Sequence, residues 1–155
     1  MDAFLVGAGA GGGKTPSTTG STPGASSGGG GGFTKTARSV NLTKNTAYEI
    51  VVGVGGAPEV DGRVTSAFNE TASGGKKGGR STGDQKGVAG GAGGSGGGGA
   101  NTSPSNSVGT GGTAGSDGSS VTSGSGGTGQ GTTTREFGEA TGDLYSGGGG
   151  CVAVI

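Results

Sequence analysis

One stretch near the start of the chain has the spacing of a phosphate-binding loop. Residues 8–15 (AGAGGGKT) follow the apolar residues 4–6 and end on Lys14 and Thr15, the residue types that meet a nucleotide phosphate and its magnesium. That chemistry needs a helix directly after the lysine, because the aligned amides and the helix dipole hold the phosphate. The next residues, PSTTGSTPG, are not expected to form a helix. We therefore expect no nucleotide site.

The other patterns that could do chemistry are equally weak. The dinucleotide fingerprint G-x-G-x-x-G occurs at 7–12, but the βαβ unit that it requires is missing from the pattern. Glu136 and Glu139, near Asp143, could form a carboxylate pair for acid–base work, although pairing with Arg135 is the better interpretation. The chain has no histidine and one cysteine, so we predict no catalytic residue, metal site or cofactor, and expect no enzyme.

The composition limits which elements could support any site. Of 155 residues, 46 are glycine, 20 threonine and 18 serine, and only 25 are large apolar residues. This inventory cannot fill the core of a large doubly wound enzyme or of a helical bundle. Ten basic and ten acidic residues cancel, so neither nucleic acid nor a membrane surface is expected as a partner. No apolar run approaches the ~20 residues that cross a bilayer.

The large apolar residues concentrate in residues 1–68 and 137–155, and they predict about five strands. These predicted strands are rich in β-branched or aromatic residues and comprise 4–6, 33–42, 47–54, 63–68 and 151–155. In the third of them the two-residue period places one set of side chains on one face, namely Tyr48, Ile50, Val52 and Val54. Residues 43–46 have the composition of a turn. Such a sheet can pair the first strand of the chain with the last.

Long glycine-rich excursions separate the predicted strands, at 7–32, 69–136 and 146–150. They could be flexible linkers, which is the interpretation that composition alone favours. They could instead pack on one another as extended threefold helices, because residues without a Cβ approach closely and leave N–H···O and Cα–H···O contacts between chains. The predicted fold is then a single domain, 1–155, that is mainly β with essentially no α-helix.

The order of these segments resembles a known family. The sequences FLVGAGAGGG, YEIVVGVGG, DGRVTSAFNETASGGKKGG, GTGQGTTTREFGE, GDLYSGGGG and CVAVI resemble the glycine-rich domain of bacteriophage tail-fibre and tail-tip proteins and of bacterial surface proteins. In similar domains, which include distal adhesins of tailed phages and the ectodomain of the anaplastic lymphoma kinase family, glycine helices stack beside a small β-sandwich. The resemblance therefore implies a small β-sandwich or jelly-roll-like sheet, and it favours packed polyglycine II helices over linkers for the glycine-rich excursions.

The resemblance also implies a function: a phage adhesin or extracellular module that binds a bacterial surface glycan or protein. Loops on a rigid scaffold carry specificity, and the candidate loops are 14–27 and 100–108. The receptor-binding residues predicted in them are Lys14, Thr15, Ser17, Thr18, Thr19, Asn101, Ser103 and Asn106. The expected location is the virion tail tip or fibre, or the cell surface. The residues leave open whether the chain works alone or beside other tail or surface subunits.

Residues 132–137 are the best further strand candidate in the second half of the chain, beside 151–155. In a strand, Arg135 and Phe137 share one face, so a buried Phe137 would draw the guanidinium toward a carboxylate or toward carbonyls that end a glycine helix. We assign structural roles to Arg135, Glu136, Phe137 and Glu139 on this basis.

A second function hypothesis remains beside the adhesin. Uncharged glycine helices and open sheet edges could join one molecule to the next, as a self-associating homo-oligomeric subunit of a filament, surface layer or virion appendage.

Overall fold

The computed structural model describes residues 1–14, 24–82, 88–100, 134–150 and 152–153 of the chain. Within these residues the fold is mainly β, as predicted, and a single turn of 3-10 helix at Glu136–Gly138 is the one helical element. The strands have two to four residues each: β1 Ala3–Val6, β2 Gly24–Ser26, β3 Thr34–Ala37, β4 Ile50–Val51, β5 Thr65–Ala67, β6 Glu70–Ala72, β7 Arg80–Thr82 and β8 Val152–Ala153.

The described strands form three small antiparallel sheets, where the sequence had suggested one. Strand β1 pairs with β3, β5 lies between β4 and β6, and β2 lies between β7 and β8. The predicted turn at 43–46 is confirmed by a hydrogen bond from the Thr46 amide to the Thr43 carbonyl. Strands β6 and β7 lie within 69–136, so that stretch is not one uninterrupted glycine-rich excursion.

Eight extended segments connect and flank these sheets: 7–13, 27–33, 53–57, 60–63, 73–79, 88–94, 95–100 and 146–150. Hydrogen bonds join them in rows with a spacing of three residues. The amides of one segment donate to the carbonyls of the next at 2.9 Å in the pairs Gly7 to Phe33, Ala10 to Gly30 and Gly13 to Ser27. A repeat of three residues per turn without internal hydrogen bonds is the geometry of polyglycine and polyproline II helices.

We call this set of eight hydrogen-bonded segments the lattice. The segment 27–33 lies at its centre. Its amides donate to two neighbours: Ser27 to Gly79 and Gly30 to Lys76 in 73–79, and Gly28 to Gly98 in 95–100, at 2.9 to 3.1 Å. Its carbonyls accept from 7–13, 88–94 and 146–150. Five segments therefore surround it, and residues 27–32 are buried. The linker interpretation is wrong for the segments that the structure describes.

Glycine is required in this lattice because the space around it is filled by backbone. A Cβ built on any of the five central glycines would lie within 3.0 Å of a neighbouring carbonyl oxygen; these are Gly28, Gly29, Gly30, Gly31 and Gly32. Real Cβ atoms essentially never come that close. Positive φ angles do not explain these glycines, since among the described ones only Gly138 has a positive φ. Glycine is needed at these positions because it lets neighbouring backbone segments approach closely.

The lattice has two distinct ends, which we call the Leu5 end and the Lys14 end. Gly7 bonds to Phe33 and Phe33 to Ser73 at the Leu5 end, where β1, β3, β5 and β6 enclose a small core. That core consists of Ala3, Leu5, Ala37, Ala67 and Ala72. At the Lys14 end Gly24 pairs with Thr82, and β8 joins β2.

The direction of the segments corrects the predicted pairing of the first and last strands. The segment 146–150 runs antiparallel to 27–33, since Gly149 donates to Gly29 and Val152 lies opposite Ser26. This direction carries β8 to β2 at the Lys14 end, whereas β1 lies at the Leu5 end and pairs with Thr34–Ala37. The register of the lattice therefore separates the two strands.

An exposed carboxylate fastens two segments to each other. Asp61 accepts hydrogen bonds from the Lys77 amide at 2.8 Å and from the Lys76 ammonium at 2.9 Å. The backbone bond from Lys77, followed by the bond and charge of Lys76, holds the pKa of Asp61 below its usual value. This contact joins 60–63 to 73–79.

We predict that Gly30→Ala destabilises the fold and that Gly9→Ala does not. The Cβ at position 30 would meet the Ala92 carbonyl, and overpacking of this kind costs about 1–3 kcal/mol. Nothing lies within 4 Å of a Cβ at position 9, so there the loss of unfolded-state entropy favours alanine slightly. Chemical denaturation of the two variants and the parent checks this. Equal unfolding free energies for both variants would contradict a close-packed lattice.

We also predict that Asp61→Asn lowers the free energy of unfolding at pH 7 by up to about 1 kcal/mol, the usual limit for an exposed ion pair. Because the folded-state pKa is depressed, the carboxylate stabilises the fold above the ordinary value of 3.8. This stabilisation is lost as the pH falls through the lowered pKa. Denaturation curves between pH 7 and pH 2 should therefore converge for parent and variant at the acid end. Asp143→Asn, which changes an exposed carboxylate outside this contact, is the control.

Candidate functional site

The described residues that flank the candidate loops lie at the Lys14 end of the lattice. Lys14 itself is exposed there, directly after the segment 7–13. The other predicted receptor-binding residues lie outside the described part of the chain: Thr15, Ser17, Thr18, Thr19, Asn101, Ser103 and Asn106. The structure therefore describes the residues that flank them.

The flanking residues come together at one end. Gly13 donates to Ser27, so Lys14 lies beside the start of the central segment. Gly24 pairs with Thr82, and Val88 bridges to Ala100. Ser27 links the end of 7–13 to the segment 88–94, because its hydroxyl donates to the Ala89 carbonyl at 2.5 Å. The residues on both sides of 15–23 and of 83–87, together with Ala100, thus lie at the Lys14 end.

The lattice uses the amides that a phosphate-binding loop would need. In the stretch 7–13, the amides of Gly7, Ala8, Ala10, Gly11 and Gly13 each donate to a carbonyl of another segment, at 2.9 to 3.1 Å. These carbonyls belong to two different neighbours on different sides of the segment. The lattice therefore occupies five of the seven amides in 7–13.

Two basic side chains of the stretch 76–80 are paired. Arg80 lies 3.0 Å from Glu59, and Lys76 lies 2.9 Å from Asp61. Both contacts are exposed and tie the edge stretch 57–63 to its neighbour. A cation that is already neutralised attracts a polyanion less strongly, because its field is screened by its partner.

The predicted strand at 132–137 is wrong for the residues that the structure describes. Thr134 is in a turn and fully buried, Arg135 forms an isolated bridge with Leu144, and the 3-10 turn follows. Phe137 has a φ of 51°, a conformation that a strand does not contain. Residues 135–144 form a compact loop instead.

The four residues assigned structural roles separate within this loop. The Arg135 guanidinium donates to the Gly142 carbonyl at 2.6 Å, a bond that closes the loop on itself. Phe137 packs with its ring centroid 5.9 Å from that of Phe4 in β1. Glu136 and Glu139 are exposed, and the Glu139 amide donates to the Glu136 carbonyl. Arg135 thus bonds to a loop carbonyl and not to the end of a glycine helix.

A second arginine, which the sequence did not single out, connects this loop to the N-terminal strand. Arg38 donates to the Phe137 carbonyl at 2.8 Å and to the Asp2 carboxylate at 3.0 Å. The Ser39 amide also donates to Asp2, at 2.8 Å, and this bond together with Arg38 lowers the pKa of Asp2. The 3-10 turn is therefore held by Arg38 as well as by its ring contact.

An exposed apolar edge is a second feature that the sequence did not predict. The two-residue period predicted one face of 47–54, but the strand β4 covers only Ile50–Val51 and is an edge strand. Ile50 is 59% exposed, Val52 75% and Val54 73%. With Val60 and Val64, which are also exposed on the adjacent stretch, these side chains form what we call the apolar edge.

The cause of this exposure can be traced to the glycines in the same stretch. A Cβ at Gly53 or at Gly56 would meet backbone of 60–64, so both residues are fixed in the lattice. At Gly53 the chain changes from a β-strand with a two-residue repeat to an extended segment with a three-residue repeat. Val52 and Val54, on either side of Gly53, are exposed. The interruption of the alternating pattern by Gly53 was the signal available in the sequence.

In the described ranges no group of three or more histidine, cysteine, aspartate or glutamate residues could hold a metal ion. No helix among them is long and apolar enough to cross a membrane. These statements cover the residues placed in the structure.

Comparison with known proteins gives one match. No curated protein and no solved structure matches the sequence. A family model described as a glycine-rich domain matches residues 1–154, nearly the whole chain. The protein therefore belongs to the glycine-rich domain family.

Proposed function

We propose that this chain is a non-catalytic binding module of a virion tip or of a cell surface, in which a glycine lattice presents receptor-binding loops at one end. The observation that carries the proposal is the placement of five flanking residues at the Lys14 end: Lys14, Gly24, Thr82, Val88 and Ala100. A rigid scaffold that gathers loops at one end is the arrangement in which loops carry specificity.

The proposed receptor is a glycan or protein on a bacterial surface. The residues proposed to contact it offer hydroxyl, amide and ammonium groups, which donate and accept hydrogen bonds: Lys14, Thr15, Ser17, Thr18, Thr19, Asn101, Ser103 and Asn106. Groups of this kind suit a polar, hydroxyl-rich partner. The resemblance to tail-fibre and tail-tip proteins of phages supports a virion location, with other tail or surface subunits as neighbours.

We predict that replacing residues 15–22 and 101–106 by glycine and serine of equal length weakens binding to host cells by at least about tenfold, or about 1.4 kcal/mol. The flanking lattice keeps its hydrogen bonds, so the melting temperature should stay near that of the parent. Labelled protein and a panel of intact bacterial cells supply the measurement. A chain with 139–141 replaced in the same way, an exposed loop at the Leu5 end, is the matched control.

Two results would reject this assignment. If the loop-replaced chain binds cells as the parent does, the loops do not carry the site. If the control loses binding equally, the Leu5 end contacts the receptor.

A second function, self-association into a filament or surface layer, is supported by the apolar edge. Edge strands with exposed apolar side chains and no charge offer hydrogen-bonding groups to another strand. Residues 50–58 (IVVGVGGAP) contain no charged residue, and the valines of this edge are more exposed than is usual for their type. A second copy could add its own edge here.

We predict for this second function that the parent forms oligomers and that Val52→Lys with Val54→Lys gives a monomer, because lysine on an edge prevents strand addition. Light scattering at increasing protein concentration gives the mass of each. Thr141→Lys adds charge on an exposed loop at the Leu5 end, away from β4, and should leave the parental mass unchanged. A parent that stays monomeric at its highest soluble concentration rules self-association out.

A further inference from the structure

We infer that a cleft beside the β5–β6 turn binds one neutral hexose or N-acetylhexosamine unit of a saccharide. The cleft has a volume of about 420 Å³ and is lined by Tyr48, Glu49, Ser66, Asn69, Glu70 and Thr71, among others. Small-ligand sites have volumes of about 300–1,000 Å³. The cleft lies in the sheet β4–β5–β6, so it is a separate site from the loops at the Lys14 end and does not depend on them.

Aromatic rings form one wall of the cleft. The ring centroids of Tyr48 and Phe68 lie 5.8 Å apart with an interplanar angle of 60°. Tyr48 is fixed from both sides, because its ring packs on Phe68 and its hydroxyl accepts a hydrogen bond from the Thr43 amide at 2.7 Å. The ring is 36% exposed. A preorganised, partly exposed aromatic ring can stack against the C–H face of a pyranose.

The turn that carries the second ring has an unusual backbone. Phe68 and Asn69 have φ angles of 55° and 63°, the left-handed conformation of both central residues in a tight hairpin. Asparagine and glycine adopt this conformation readily, whereas a bulky aromatic residue rarely does. The surrounding contacts hold Phe68 there nonetheless, and strain of this kind is concentrated at binding sites.

Polar side chains also line the cleft. Ser66 and Thr71 are direct partners across β5 and β6, which places two hydroxyl-bearing residues side by side. Asn69 adds an amide group and Glu49 a carboxylate. Together they supply both donors and acceptors, which a sugar with several hydroxyl groups needs.

The charges around the cleft disfavour an anionic ligand. Glu70 is paired with Lys35 at 3.4 Å, and none of the ion pairs in the described part of the chain includes Glu49. The pairing offsets the Glu70 charge, so Glu49 leaves the cleft with a net negative charge. An anionic sugar would face this charge, whereas a neutral sugar avoids the repulsion.

The test is a titration of isotope-labelled full-length protein with four neutral sugars: glucose, galactose, mannose and N-acetylglucosamine. We expect shifts of the backbone signals of Ser66, Asn69 and Thr71 with at least one of them. Glucuronic acid, the anionic counterpart of glucose, should bind more weakly. Tyr48→Ala should raise the Kd at least about tenfold.

Matched variants separate a binding role from a structural one. Tyr145→Ala removes a tyrosine of similar exposure, 38%, whose ring packs on Phe4 at 5.3 Å outside the cleft, and it should bind as the parent does. Glu49→Lys changes an exposed side chain without touching the Tyr48–Phe68 contact, and it should weaken binding even if Tyr48→Ala fails to fold.

Three outcomes would overturn the inference: no shift at the cleft with any neutral sugar, tighter binding of glucuronic acid than of the neutral sugars, or equal loss in Tyr145→Ala and Tyr48→Ala. The result is independent of the loops, because the loop-replaced chain should keep its sugar shifts. A chain that binds sugar in the cleft but no cells would leave this site standing and remove the proposed adhesin function.

Discussion

This fold depends on one interaction, the hydrogen bond between the amide of one glycine-rich segment and the carbonyl of another. The segments come this close because their glycines lack Cβ atoms. In the central segment 27–33 these bonds point in several directions, to five neighbouring segments. A Cβ on any of the glycines 28–32 would occupy the space of a neighbouring carbonyl. Buried backbone polar groups must find partners, and here other backbone supplies them. Glycine content is thus a packing requirement.

This arrangement changes the task of the large side chains. In most domains they fill the interior, but here the interior is backbone, and the apolar core at the Leu5 end is built largely of alanine with a single leucine, Leu5. Aromatic residues pack at the margins, as Phe4 does with Phe137 and Tyr145. The valines of the apolar edge are left on the outside. Surface apolar groups are therefore a product of the same constraint that fills the interior with glycine.

The sequence predicted the parts of the fold whose signals are local. The strands β1 and β5 and the turn at 43–46 lie where β-branched, aromatic or turn-forming residues predicted them. The packing of the glycine segments followed from the resemblance, because composition alone favours linkers.

Other features could not be read from the sequence because they are set at long range. Whether β8 pairs with β1 or β2 depends on the direction of 146–150 in the lattice, which no local pattern encodes. Phe137 was expected in a strand, since its neighbours are β-branched, but contacts with Phe4 and Arg38 hold it in a turn. The cleft beside Tyr48 combines residues from two separate stretches. The residues proposed to bind a receptor lie, apart from Lys14, outside the described part of the chain.

The rows of hydrogen bonds between the eight segments have a mechanical consequence. These bonds run across the segments, and many of the segments extend between the Leu5 end and the Lys14 end. A force that pulls the two ends apart would therefore load many rows in shear at the same time, whereas a force across the lattice would open one row after another. We expect the domain to resist tension along its axis better than its small apolar core would suggest. Such directional strength suits a module held at one end and loaded at the other.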